Sequence, residues 1–229
     1  MPTFRGVRLV SNPSAVLRNG LAAEWLMNES GSTLTDTSGN GNHGTIYGAS
    51  WYTLPSEYKV LSLDGDDYVD VPDDPTLNPT QCISVEHWIY PEVLTSGVVQ
   101  RIVQRKAGTW GTLIRGDLIR FYVDTTDDGG SWKSAECTIP STNKWYNIAA
   151  VYDGVKIYLY MDGELRATTP QSHAINQPPA GAPLQIGRDH LNVQYFQGLI
   201  GVVRIYKDRT LQPWEIQALY NYDKALMGI

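Results

Sequence analysis

Along most of the chain, apolar, β-branched and aromatic residues alternate with polar ones at a period of two. The runs are short and are broken by Gly, Asn, Asp and Pro. The clearest stretch is 144–169, KWYNIAAVYDGVKIYLYMDGELRATT, where Asp153-Gly154 and Asp162-Gly163 separate three such runs. Two-residue loops of this kind need positive φ, which Gly adopts without steric cost, so the stretch predicts a three-stranded antiparallel meander. The turns set Tyr152 opposite Val155 and Met161 opposite Glu164. One face then collects Ile148, Ala150, Tyr152, Val155, Ile157, Leu159 and Met161 and is expected to meet the core. The other collects Trp145, Asn147, Ala149, Val151, Lys156, Tyr158, Tyr160, Leu165 and Ala167, a mixed surface that suits a ligand or a covering segment.

The same alternation recurs before and after. VLSLDGDDYVDVPDD carries a further Asp-Gly turn at Asp64-Gly65, and 83–90 separates Val85, His87 and Ile89 from Glu86, Trp88 and Tyr90. One strand is expected near Gly44 to Ser50, others at 98–106, 109–115 and 118–124, and FQGLIGVVRIY reads as the last. LQPWEIQALYNY, with Pro213 at N1 and Glu215 at N3, predicts one short helix. About a dozen strands and a single terminal helix imply an all-β, antiparallel two-sheet sandwich or jelly roll. No composition break occurs within 20–229, which reads as one domain; 1–19, broken at Asn12-Pro13, reads as an N-terminal arm.

Composition narrows the function classes. A chain of 229 residues can bury a core without disulfide or metal. Net charge is −6 with no basic patch, which excludes an obvious nucleic-acid footprint, and no apolar run reaches the roughly 20 residues of a membrane-spanning helix. The first residues lack an apolar signal core, so a chain starting at Met1 is not expected to leave by the ordinary export route. Cys82 and Cys137 fit either a disulfide or two reduced thiols.

Six segments in this order, DTSGNGNHGTIYG (36–48), LSLDGDDYVDVPD (61–73), ISVEHWIYP (83–91), WYNIAAVYDGVKIYLYMDG (145–163), LQIGRD (184–189) and GLIGVVRIYKDRTLQPWEIQALY (198–220), resemble the laminin-G-like jelly roll of the concanavalin A-like lectin/glucanase superfamily. The resemblance covers nearly all of the chain after residue 20 and implies the jelly-roll fold. That fold hosts lectins, adhesion modules, hydrolases and virion proteins. Two departures stand out: Gly201 and Val202 occupy positions where relatives usually carry an acidic pair, and His87 replaces a commonly small residue.

Asp36, Asn40 and Asn42 offer oxygens for a structural calcium ion of the kind related folds hold, against Asx-turn bonding that rigidifies a Gly-rich loop; the missing acidic pair weakens the calcium reading. Asp64, Asp66, Asp67, Asp70, Asp73 and Asp74 read as turn residues and a solvated strand face, and His87 as a hydrogen-bonded core histidine. No cofactor is required. Glycosidase chemistry needs two carboxyls flanking one bond, whereas Glu86 stands alone between Val85 and His87, so no enzyme is expected. Aromatic rings with Asn, Asp or Arg suit sugars. The ligand candidates are Trp88, Asn147, Tyr158 and Tyr160 in strands, with Trp110 and Trp132 taken as loop contacts. The leading expectation is a non-enzymatic recognition or adhesion module for a glycan or another surface ligand. The alternative is a phage virion structural protein, a capsid decoration or tail component released by lysis and joined to itself or to capsid or tail proteins through 1–19; a degenerate polysaccharide hydrolase or lyase stands third.

Overall fold

The computed structural model describes residues 17–105, 109–126 and 133–229. Two antiparallel sheets of eight strands face each other. The first runs β14 (Glu164–Pro170), β13 (Lys156–Met161), β12 (Tyr146–Tyr152), β7 (Ile83–Pro91), β16 (Gln197–Lys207), β5 (Lys59–Asp64) and β4 (Ser50–Thr53), and β1 (Leu21–Trp25) also pairs with β16. The second runs β11 (Lys133–Thr138), β10 (Leu118–Val123), β9 (Trp110–Arg115), β8 (Val99–Arg105), β15 (Leu184–Ile186), β6 (Tyr68–Val71), β3 (Gly44–Tyr47) and β2 (Thr33–Leu34). The inward residues of both sheets, Val85, Ile89, Ile148, Ala150 and Leu159 against Ile114, Phe121, Leu184 and Ile186, form one apolar core. This is the two-sheet jelly-roll sandwich that the alternation implied.

Helix α1 (Pro213–Met227) covers the outer face of the first sheet. Pro213 sits at N1, and the Glu215 carboxylate accepts the Gln212 amide at 2.8 Å, the reciprocal arm of a capping box. The left-handed Gly228 (φ 67°) ends it. Ile216, Leu219 and Met227 recur at helical spacing and land on Val151, Tyr160 and Tyr206 at one end and on Val60, Trp88 and Val202 at the other. Leu17 packs into the same layer, so the packed unit reaches back into the segment read as an arm; residues 1–16 lie outside the described residues.

Some elements differ from the sequence reading. The single strand near 44–50 is two, β3 and β4, which join opposite sheets through a turn at Gly48 (φ 79°), where a Cβ would stand 1.9 Å from Asp67 Oδ1. In the meander, Asp162-Gly163 forms the expected loop, both residues at positive φ, with Met161 opposite Glu164. The first turn falls one residue later: Tyr152 faces Ile157, not Val155, and Val155 is an exposed loop residue. The Asp153 carboxylate causes the difference by accepting the Val155 and Lys156 amides at 2.8 and 2.7 Å. Cys82 and Cys137 are both free thiols, and burial pushes Cys137 up to about 11.

Candidate binding site

Most of the aromatic residues singled out from the sequence lie on the face that α1 covers. Trp88, 2% exposed, stacks on Tyr220 of the helix at 5.5 Å. Tyr160 is buried beneath the helix start, and Tyr158 packs beside it and donates its hydroxyl to Asp153 Oδ2 at 3.0 Å. Asn147 is fully buried: its amide donates to Asp162 Oδ1 at 2.9 Å and its side-chain nitrogen donates to Glu86 Oε1. Trp110 requires a correction. It opens β9 rather than sitting in a loop, and its ring lies in the core at 1% exposure, so it presents nothing to a ligand. Trp132 lies outside the described residues.

Between the first sheet and α1 lies a buried ionic cluster that the sequence did not indicate. Arg204 of β16 meets Asp223 of α1 through two bonds, at 2.6 and 2.9 Å, Glu86 of β7 at 2.9 Å, and Glu24 of β1 at 2.9 Å. One guanidinium thus faces three carboxylates. Burial pushes Glu86 up to about 8, the Asp223 charge adds to the shift, and Arg204 opposes it. On the opposite side of the same strand, His87 reaches across the core to Thr112 Oγ1 at 2.9 Å, and burial holds it down at about 3. It is the hydrogen-bonded core histidine that the alternation of β7 implied.

The Asp36 loop satisfies itself. Asp36 Oδ1 accepts the amides of Glu24 and Ser38 at 3.0 and 2.8 Å, and Oδ2 accepts the Asn42 amide and the Ser38 hydroxyl at 2.9 and 2.8 Å. Asn40 and Asn42 donate their side-chain nitrogens to the Ala22 carbonyl at 2.9 and 2.8 Å. These bonds brace β1 and commit both Asp36 oxygens to protein donors, the Asx-type role that stood against calcium. Gly201 and Val202 lie elsewhere, beneath the end of α1, where a Cβ on Gly201 would stand 2.8 Å from Met227 Cε.

The outer face of the second sheet has a different character. Strand alternation turns Tyr68 and Asp70 of β6, Gln185 of β15, Arg101 and Gln104 of β8 and Tyr122 of β10 away from the core, with Gln185 directly between Gln104 and Asp70. Gly111 makes room for the Tyr122 ring, since a Cβ there would stand 2.7 Å from the hydroxyl. The segment after β15 folds over one side. Arg188 grips Asp70 at 2.9 and 3.1 Å and lays its guanidinium 3.3 Å from the centre of the Tyr68 ring, which also stacks on Tyr47 at 4.7 Å. His190 pairs with Gln104 at 3.0 Å, and Gln194 with Arg101 at 2.8 Å. Tyr47 remains 44% exposed. A pocket of about 470 Å³ continues the face at Arg115, Leu118 and Arg120.

Four side-chain atoms in this patch are buried yet have no hydrogen-bond partner among the described residues: Arg101 Nη1, Gln104 Oε1, Gln185 Oε1 and Arg188 Nε. Buried polar atoms in native proteins are nearly always partnered, so two donors and two acceptors left open beside stacked tyrosines mark a surface with bonding capacity in reserve. Three carboxylates here are committed: Asp70 to Arg188, Glu136 to Arg120 at 2.7 Å, and Asp189 Oδ1 to the amides of Leu191 and Val193 at 3.1 and 3.0 Å.

The chain belongs to the concanavalin A-like lectin/glucanase superfamily, whose laminin-G-like family model matches residues 63–217. No curated protein matches the sequence. Among solved structures, the ligand-binding domain of botulinum neurotoxin serotype D in complex with N-acetylneuraminic acid superposes with a TM-score of 0.75 at 17% identity, over 92% of this chain and 53% of that one. The binding domain of Paraclostridial Mosquitocidal Protein 1 gives 0.73 at 16%, over 90% and 53%. Domain 4 of AbnA, an extracellular arabinanase from Geobacillus stearothermophilus, in complex with arabinotriose, gives 0.69 at 21%, over 87% and 98%. The chain therefore spans about half the length of the toxin domains and nearly all of the arabinanase domain.

Proposed function

We propose that this protein is a non-catalytic recognition module that binds a glycan on the outer face of its second sheet. The observation that carries the reading is the set of open donors and acceptors on Arg101, Gln104, Gln185 and Arg188 beside the Tyr47–Tyr68 stack. Sugar hydroxyls both donate and accept, and the C–H face of a sugar ring packs on an aromatic ring, so this combination matches carbohydrate chemistry. Asp70, Glu136 and Asp189 in the patch are held in ion pairs or by backbone amides, which favours binding over hydrolysis. Two of the structural neighbours are described in complex with a sugar, and sugar binding by the fold is consistent with this reading. The virion alternative draws on residues 1–19, of which 1–16 lie outside the described residues, and no observation favours it.

A glycan array spanning plant, bacterial and animal oligosaccharides tests the proposal. The wild-type chain is expected to retain at least one neutral glycan. Tyr47→Ala, which removes an exposed ring, is expected to weaken retention by about three- to tenfold with an unchanged melting temperature. An array with no retained glycan, or Tyr47→Ala binding like wild type, contradicts the reading.

A further inference from the structure

We propose a second ligand site on the opposite side of the sandwich, in the pocket between α1 and the first sheet, which takes a sugar unit bearing a carboxylate. The pocket, of about 410 Å³, is within the roughly 300–1,000 Å³ of small-molecule sites. Its walls are aromatic. Trp88 and Tyr90 project from the outer face of β7, Trp145 enters beside Tyr90 with ring centres 5.5 Å apart, and Tyr220 of α1 stacks on Trp88 at 5.5 Å and 11°. Flat rings at this spacing offer apolar surface to a sugar ring without closing the cavity.

Two further observations give the site its chemistry. The Trp88 indole N–H, in a residue 2% exposed, has no acceptor among the described residues, and a buried donor in a pocket wall calls for an acceptor oxygen from outside the chain. Lys144 and Lys224 line the rim, and neither is ion-paired among the described residues; their Nζ atoms stand 5.5 and 5.4 Å from the rings of Tyr146 and Tyr220. The Asp162 side chain in the lining accepts the Asn147 amide at 2.9 Å. In a chain of net charge −6, two lysines in the lining of an aromatic pocket, neither in an ion pair among the described residues and Lys224 donating to the Tyr220 hydroxyl at 3.3 Å, favour an anionic, oxygen-rich ligand. The site does not rest on the second-sheet reading, because it shares no residue with that face. A chain carrying both sites bridges two ligands as a monomer.

Tryptophan fluorescence tests this directly, since Trp88 and Trp145 line the cavity. The probes are digalacturonic acid and its dimethyl ester, which keeps the shape and removes the charge. Digalacturonic acid is expected to give a saturable change that weakens with added salt. The ester, and the acid with the double variant Lys144→Gln/Lys224→Gln, are expected to bind about tenfold or more weakly. Both lysines are exposed, so the variant keeps the fold. Tyr47→Ala is expected to leave the titration unchanged. No saturable change, equal binding of acid and ester, an unaffected double variant, or loss of the signal in Tyr47→Ala each overturns the proposal.

Discussion

Glu86 and His87 are neighbours in β7, yet they point to opposite faces and titrate in opposite directions, because both are charged forms that burial disfavours. Glu86 is raised from 4.5 to about 8, so the folded chain holds that proton more tightly than the unfolded chain. Its contribution to stability is complete below 4.5 and is lost as pH rises toward 8. His87 is lowered from 6.5 to about 3, so the unfolded chain takes up that proton first. Its contribution is complete above 6.5 and is lost as pH falls toward 3. Between 4.5 and 6.5 the two slopes oppose each other, each on the order of 1.4 kcal/mol per pH unit. Urea denaturation across pH is therefore expected to show a plateau in that interval with a decline on both sides. Glu86→Gln, which fixes the neutral form, is expected to flatten the alkaline decline, and an unchanged alkaline limb contradicts the assignment. His87 was legible in the sequence as a core residue because alternation alone places it beside Val85 and Ile89. The shift of Glu86 was not, because it arises first from burial beneath a helix that folds back from the far end of the chain and then from the charge of Asp223 on that helix.

At the scale of elements, α1 is held by both apolar contact and charge. Asp223 gives both carboxylate oxygens to Arg204 with no solvent exposure. Arg204 is the cation that Asp223, Glu86 and Glu24 share, and removing it leaves buried carboxylates uncompensated, so Arg204→Met is expected to cost about 3–5 kcal/mol by denaturant titration. The exposed Arg166–Glu164 pair, at 2.9 Å, makes the contrast: Glu164→Gln is expected to change stability by about 0–1 kcal/mol. Similar costs for the two variants would contradict the structural role given to the cluster. Pro213 and Glu215 made the helix readable, but not where it lands. Asp223 looks like a solvent-facing residue and is buried, while Trp214 looks like an anchor and is 56% exposed. The meander survived a turn in the wrong place for a geometric reason: moving the partner of Tyr152 from Val155 to Ile157 is a shift of two residues, which keeps every strand side chain on its face.

On the scale of the whole molecule, one outer face of the sandwich is closed by α1 and the other carries open polar groups. The fold was legible because alternation and Asp-Gly turns are local signals, repeated along the chain. The candidate site was not, because its residues come from β3, β6, β8 and β15 and from the segment after β15, which only the strand order of the second sheet brings together. The aromatic residues that looked like a platform, Trp88, Tyr158 and Tyr160, lie under the helix, whereas Tyr47, Tyr68 and Arg188 carry no local mark that separates them from ordinary strand and turn residues. Backbone amide shift mapping with a neutral glycan retained on the array tests the central claim most directly. The account predicts that the largest shifts fall on Tyr47, Tyr68, Gln104, Gln185 and residues 188–195; shifts confined to α1 and the 144–169 meander would contradict it.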